Sequence, residues 1–155
     1  MRREDKMISD PEVVESILLK ADICHVAMID DGEPYLVPLN FGYKDRTLYF
    51  HSAATGRKIE VMKKNPRVCF EVALPHTIIT GEVACDWTTK YRSVIGYGTV
   101  SFSDDPEEKK AGLDTIMAKY GQMENTYRSG SLRNMIIGMI VVEEMSGKQS
   151  HDWEE

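Results

Sequence analysis

Between His51 and Lys58 the chain reads HSAATGRK, and these residue types suit one piece of chemistry. Ser52 and Thr55 bring hydroxyl donors, Arg57 can grip phosphate oxygens in pairs, and Lys58 adds a point charge. Gly56 lets the backbone approach a ligand closely. A helix beginning here offers its unpaired first N–H groups and the positive end of its dipole, which together stabilise an anion. The joint reads as a phosphate cradle. The same residues also fit the wet face of a helix whose dry face is Ile59, Val61 and Met62, and that reading stands beside the first. The phosphate loops GxxxxGK[ST] and GxGxxG are absent.

The surrounding stretch, 47 to 72, must position the joint. Thr47 to His51 alternates like a strand, Ala53 to Lys64 has a helical pattern ended by Asn65-Pro66, and Arg67 to Val72 returns to strand chemistry. Upstream, Ser9-Asp10-Pro11-Glu12 starts a helix carrying Val13, Val14, Ile17, Leu18 and Ala21, which packs across one end of a sheet. Ile23 to Ile29 and Pro34 to Tyr43 read as two antiparallel strands around the turn Asp30-Asp31-Gly32, so three strands precede the helix of the joint. Pro38 within the second of these cannot donate to a ladder, which points to an edge strand or a bulge.

Downstream, Thr77 to Cys85 and Tyr91 to Phe102 read as strands joined by residues 86 to 90, with Gly96 and Gly98 marking a bend. Asp104-Asp105-Pro106 opens a helix with Ala111, Leu113, Ile116, Met117 and Tyr120 as its apolar stripe and Gly121 as its stop. Residues 122 to 134 are irregular apart from one turn near Leu132. Met135 to Val142 is a last buried strand, followed by a polar tail. Antiparallel pairing is favoured, and the expected fold is mainly β: a six- or seven-stranded antiparallel split β-barrel with peripheral helices. One domain spans 1 to 155, with 1 to 8 and 147 to 155 expected as flexible or partner-packing tails.

Composition narrows the function. A net charge of -6 and a pI near 5.3 argue against a nucleic-acid surface. No apolar run is long enough for a membrane span and no signal core follows Met1, so a cytoplasmic protein is expected. Cys24, Cys69 and Cys85 are widely spaced, each in a strand-like run, and read as buried reduced thiols, while His25, His51, His76 and His151 lack ligand spacing, so no metal is expected. His76, in a turn, is the one candidate proton donor for catalysis. Trp87, Tyr91 and Trp153 could stack on a planar ligand.

Taken together, VPLNFGY at 37 to 43, LYFHSAATGRK at 48 to 58, NPRVCFEV at 65 to 72, YRSVIGYG at 91 to 98 and the DDPEEK helix start resemble the flavin-binding split barrels related to pyridoxamine 5'-phosphate oxidase, in their nitroimidazole-reductase-like branch. The resemblance covers about two thirds of the chain, in the family's order. It implies a homodimer with FMN in grooves between subunits. His51, Ser52, Arg57 and Lys58 would hold the phosphate, Val37, Pro38, Leu39 and Asn40 would line the ring, and Ser93 and Val94 would approach ring or ribityl chain. The implied activity is an oxidoreductase passing electrons from NAD(P)H to a small planar acceptor, a nitro-aromatic or quinone. Relatives also use deazaflavin or haem, so a non-enzymatic flavin or haem binder, a carrier or sensor, is the alternative. No residue set for the vitamin substrate of pyridoxamine phosphate oxidase is present.

Overall fold

A computed structural model describes residues 4–150 and 153. Four helices are present among the described residues: α1 (Pro11–Lys20), α2 (Arg57–Lys64), α3 (Pro106–Lys119) and the short α4 (Ser129–Arg133). The strands are β1 (Met7–Ile8), β2 (Ile23–Asp30), β3 (Glu33–Asn40), β4 (Gly42–Lys44), β5 (Thr47–Ala53), β6 (Arg67–Ala73), β7 (Thr77–Ile79), β8 (Thr88–Lys90), β9 (Arg92–Ser103) and β10 (Met135–Gln149). An antiparallel eight-stranded sheet runs β3-β2-β6-β9-β10-β5-β4, with β1 added to β10. This is the expected antiparallel split barrel, with eight strands in its sheet where six or seven were expected, because β4 and the short β1 are strands of their own.

Alternation builds its interior. Cys24, Val26 and Met28 of β2, Val68, Phe70 and Val72 of β6, and Leu48 and Phe50 of β5 all turn inward and are buried. Val14, Ile17 and Leu18 of α1 and Val61 and Met62 of α2 join the same core, so two helices close the barrel. Gly96 and Gly98 leave room for that core: a Cβ on Gly96 would lie 2.3 Å from the Phe70 ring, and one on Gly98 would lie 2.4 Å from the Val141 carbonyl. The Asp31-Gly32 turn is a tight hairpin with φ of 50° and 93°, and Asp30 faces Glu33 across it.

Several boundaries differ from the sequence reading. Pro34 to Tyr43 is broken at the buried Phe41 into β3 and β4, so four strands of the main sheet, and not three, lie between α1 and α2. Pro38 sits in an edge strand, one of the two alternatives its position left open, and β3 pairs with β2 in unbroken register from Asn40 to Glu33, so no bulge lies there. The sheet's register shift lies instead between Val142 and Glu144. β10 then continues along β9 to Gln149, and Met7–Ile8 pairs with Lys148 and Gly147. Those parts of the expected tails are therefore strand, while residues 1–3, 151, 152, 154 and 155, His151 among them, lie outside the described residues. Thr77 to Cys85 is not one strand: β7 ends at Ile79, and it pairs with β8, which lies within the expected connection 86 to 90.

Candidate functional site

α2 begins at Arg57, four residues later than the helical pattern suggested, because Ala53 ends β5 and Gly56 takes φ 124° and ψ 161°. That conformation is open to glycine and strained for other residues. No side chain caps the helix. The Gly56 carbonyl accepts from Ile59 and Glu60 N–H at 2.9 and 3.1 Å, which leaves the N–H groups of Arg57 and Lys58 at the open end of the helix. Nothing lies within 4 Å of where a Gly56 Cβ would stand. The other two long helices are built differently: Asp10 caps α1 and Asp105 caps α3 with side-chain oxygens.

Adjacent strand residues face opposite ways, so the cradle is assembled less simply than its sequence implies. Ser52 points inward and is buried, whereas His51 points outward and is exposed. Their side chains do not converge. Arg57 leans on the β2–β3 hairpin, where its Nε donates to Asp30 Oδ2 at 2.8 Å and its guanidinium lies over the Tyr35 ring, 4.2 Å from the centroid. At the other end of α2, Lys64 is ion-paired with Asp31 of the same turn. The pairing holds the Asp31 carboxyl below its ordinary value, first through the Lys64 hydrogen bond, and lifts the Lys64 ammonium above its own.

On β3, Pro38 and Asn40 face out and are exposed, Leu39 faces the core, and Val37 is half-buried against it. Pro38 and Asn40 stand roughly 10 and 17 Å along the strand from Tyr35 at ~3.3 Å per residue. The Asn40 amide donates to the Tyr120 hydroxyl at 3.1 Å, and that hydroxyl donates to the Asp22 carbonyl at 2.7 Å. Across the sheet from Pro38 the register places His25, Glu71, Ile95 and Ser146 in one outward row. His25 Nδ1 lies 3.1 Å from Glu71 Oε2. Sequence reasoning passed over this pair, because only the pairing of β2 with β6 brings the two residues together.

Ser93 and Val94 lie elsewhere. His51 and Ser103 both pair with Ile137, so Ser93 lies ten residues, roughly 33 Å of strand, farther along β9 at ~3.3 Å per residue. Val94 is in the core at 0 % exposure, leaving only its backbone for a surface ligand. Within one chain these two do not meet the joint. His76 is exposed ahead of β7, Trp87 is exposed with its indole N–H on the Gly81 carbonyl, and Trp153 stacks under Arg92. No group of acidic, His and Cys side chains that could hold a metal ion occurs among the described residues. No helix among them is long and apolar enough to cross a membrane.

The outer face of the sheet is unevenly covered. α3 lies on β4 and β5 so closely that a Cβ on Gly42 would be 2.6 Å from the Thr115 backbone, and one on Gly112 would be 2.4 Å from Ile137. Its buried residues are Lys109, Gly112 and Ile116, and of the expected stripe Ala111 and Tyr120 are exposed. On the outer face of β2, β3 and β9, by contrast, Ile23, Ile29, Leu36, Ile95 and Tyr97 are exposed among the described residues. A cleft of about 390 Å³ opens there between Ile29, Pro34, Cys69 and Tyr97. Burial pushes the Cys24 thiol, on the inner face of β2, up to about 12, and pushes Lys119, at the end of α3, down to about 8 where it donates to the Leu18 carbonyl. Of the three thiols expected to be buried, only Cys24 is: Cys69 is half-buried and Cys85, in the connection after β7, is exposed.

Comparison with known proteins agrees with the fold. A family model described as pyridoxamine 5'-phosphate oxidase matches residues 10–149. The solved structure of a candidate 5-nitroimidazole antibiotic resistance protein from Bacteroides thetaiotaomicron is 38% identical, with a TM-score of 0.83 over 92% of this chain and 85% of that one. The FAD and haem binding protein of Mycobacterium smegmatis superposes with a TM-score of 0.81 at 18% identity, over 97% of this chain and 76% of that one, and shows the shared fold. An uncharacterized protein of Rhizobium meliloti (strain 1021) is 31% identical over 62 residues, and the match spans 40% of this chain and 40% of that relative.

Proposed function

The chain belongs to the pyridoxamine 5'-phosphate oxidase family, and from that premise we propose that it binds FMN and works as a flavin-dependent oxidoreductase. The observation that carries the reading is the uncapped start of α2, where Gly56 leaves the first N–H groups open beside Arg57 and Lys58. One terminal phosphate suits that opening. Arg57, Lys58 and the backbone of the first turn would hold it, with outward His51 beside them. Pro38 and Asn40 would face the ring, with Leu39 and Val37 behind them supporting the strand. Flavin, when bound, supplies the electron chemistry, and the protein supplies binding, orientation and electrostatics. The acceptor is a small planar molecule, nitro-aromatic or quinone-like, with NAD(P)H as donor; the nitroimidazole-linked relative supports that class.

The working unit in this reading is a homodimer. The uncovered sheet face presents Ile23, Leu36, Ile95 and Tyr97 to a second copy. Ser93, remote from its own joint, would reach flavin only from the partner side. The FAD and haem binding relative keeps one second reading open, a flavin or haem carrier without turnover.

Two measurements decide between them. Purified protein is expected to be yellow and to release FMN on denaturation. It is also expected to oxidise NAD(P)H when a nitro-aromatic or quinone is added. A colourless protein that takes up no added FMN would contradict the proposal. A Soret band, or bound flavin without turnover, would favour the carrier.

A further inference from the structure

We propose that Asp30 and Tyr35 are positioning residues for Arg57, holding its guanidinium ready for the ligand phosphate; this inference rests on the flavin reading above. Arg57 is a long side chain at the first position of α2, with 59% of its side chain exposed, and left alone it would sample many rotamers. Two contacts fix it. The Asp30 carboxylate takes Nε at 2.8 Å, and the Tyr35 ring lies against the guanidinium face at 4.2 Å. One contact sets the edge of the plane and the other sets its tilt. Neither Nη atom is hydrogen-bonded among the described residues, so the paired donors that suit a phosphate remain on offer. The Lys64–Asp31 ion pair ties the same turn to the last turn of α2, so the hairpin that carries Asp30 is itself anchored to the helix that carries Arg57.

Ordering a charged side chain before the ligand arrives removes that cost from binding. Asp30 also brings a negative charge near the anion's seat, which works the other way. The Asp30→Asn variant separates the two effects, because its amide oxygen still accepts from Nε while the charge is gone. Tyr35→Phe likewise keeps the ring and its stacking.

The test compares dissociation constants for FMN and riboflavin in the wild-type protein and in Asp30→Ala, Asp30→Asn, Tyr35→Ala and Tyr35→Phe, with Arg57→Ala as reference. The ratio of riboflavin to FMN constants isolates the phosphate contact, and an unchanged riboflavin constant shows that the fold is intact. The ratio is expected to fall about three- to tenfold in Asp30→Ala and Tyr35→Ala, and to be restored in Asp30→Asn and Tyr35→Phe. If Asp30→Ala does not fold, the Tyr35 pair carries the comparison. Ratios that stay at the wild-type value in both alanine variants, while Arg57→Ala loses its preference, would overturn this inference and leave the flavin reading standing. A ratio that rises in Asp30→Ala would also overturn it, making Asp30 a competitor for Arg57. Wild-type protein that binds no FMN would overturn both.

Discussion

The first turns of α2 and α3 face the same problem, backbone N–H groups with no partner inside the helix, and they meet it in different ways. In α3, Asp105 Oδ1 accepts from the N–H groups of Glu107 and Glu108, both at 3.0 Å. Two acidic residues then follow in the turn, so an external anion is repelled. In α2, Gly56 offers no side chain, and the first two residues are Arg57 and Lys58. One helix start is closed by its own sequence, while the other is open and positively charged. Aspartate caps α1 and α3, while α2, which opens with cations, has no side-chain cap. On the proposed reading, that difference is what fits the start of α2, and not that of α3, to an anion.

Three substitutions sharpen the contrast. Gly56→Val forces a β-branched residue to φ 124° and should lower stability by about 1–3 kcal/mol, with FMN affinity falling alongside it. Thermal unfolding and FMN titration of the same preparation check both. Asp105→Ala should cost ~1 kcal/mol in urea unfolding and leave FMN affinity where it was, because α3 is already closed to anions. A change in flavin binding there would break the comparison. Lys58→Ala should have the smallest effect, about two- to fivefold weaker FMN binding with riboflavin unaltered, and the difference should shrink in high salt.

The parts of this site that were legible in the sequence are those that lie close together along it. Gly56, Arg57 and Lys58 are consecutive, so their chemistry could be read directly. Pro38 announced an edge strand through the donor it lacks. What stayed hidden depends on register. Asp30 and Arg57 are 27 residues apart, and nothing local signals that the β2–β3 turn lies beside α2. His51 and Ser52 look like partners in the sequence, yet the two-residue period of β5 sends them to opposite faces. Ser93 matched the family's motif while standing the length of β9 from the joint. The continuation of β10 was missed because Glu143 and Glu144 read as a polar tail; in the fold, both pair with Arg67 and Thr99 also donates to Glu143, on the outer face beyond a register shift. In α3, Ile116 of the expected stripe is buried, but the other two buried residues are Gly112 and Lys109, which an apolar pattern does not reveal.

The most direct test of the phosphate cradle is a paired titration of wild-type and Arg57→Ala protein with FMN and with riboflavin. Charge-assisted hydrogen bonds of this kind contribute roughly 1.5–3 kcal/mol, so FMN affinity should fall about ten- to a hundredfold while riboflavin affinity holds. Equal weakening of the two ligands, or none, would contradict a phosphate held at the start of α2.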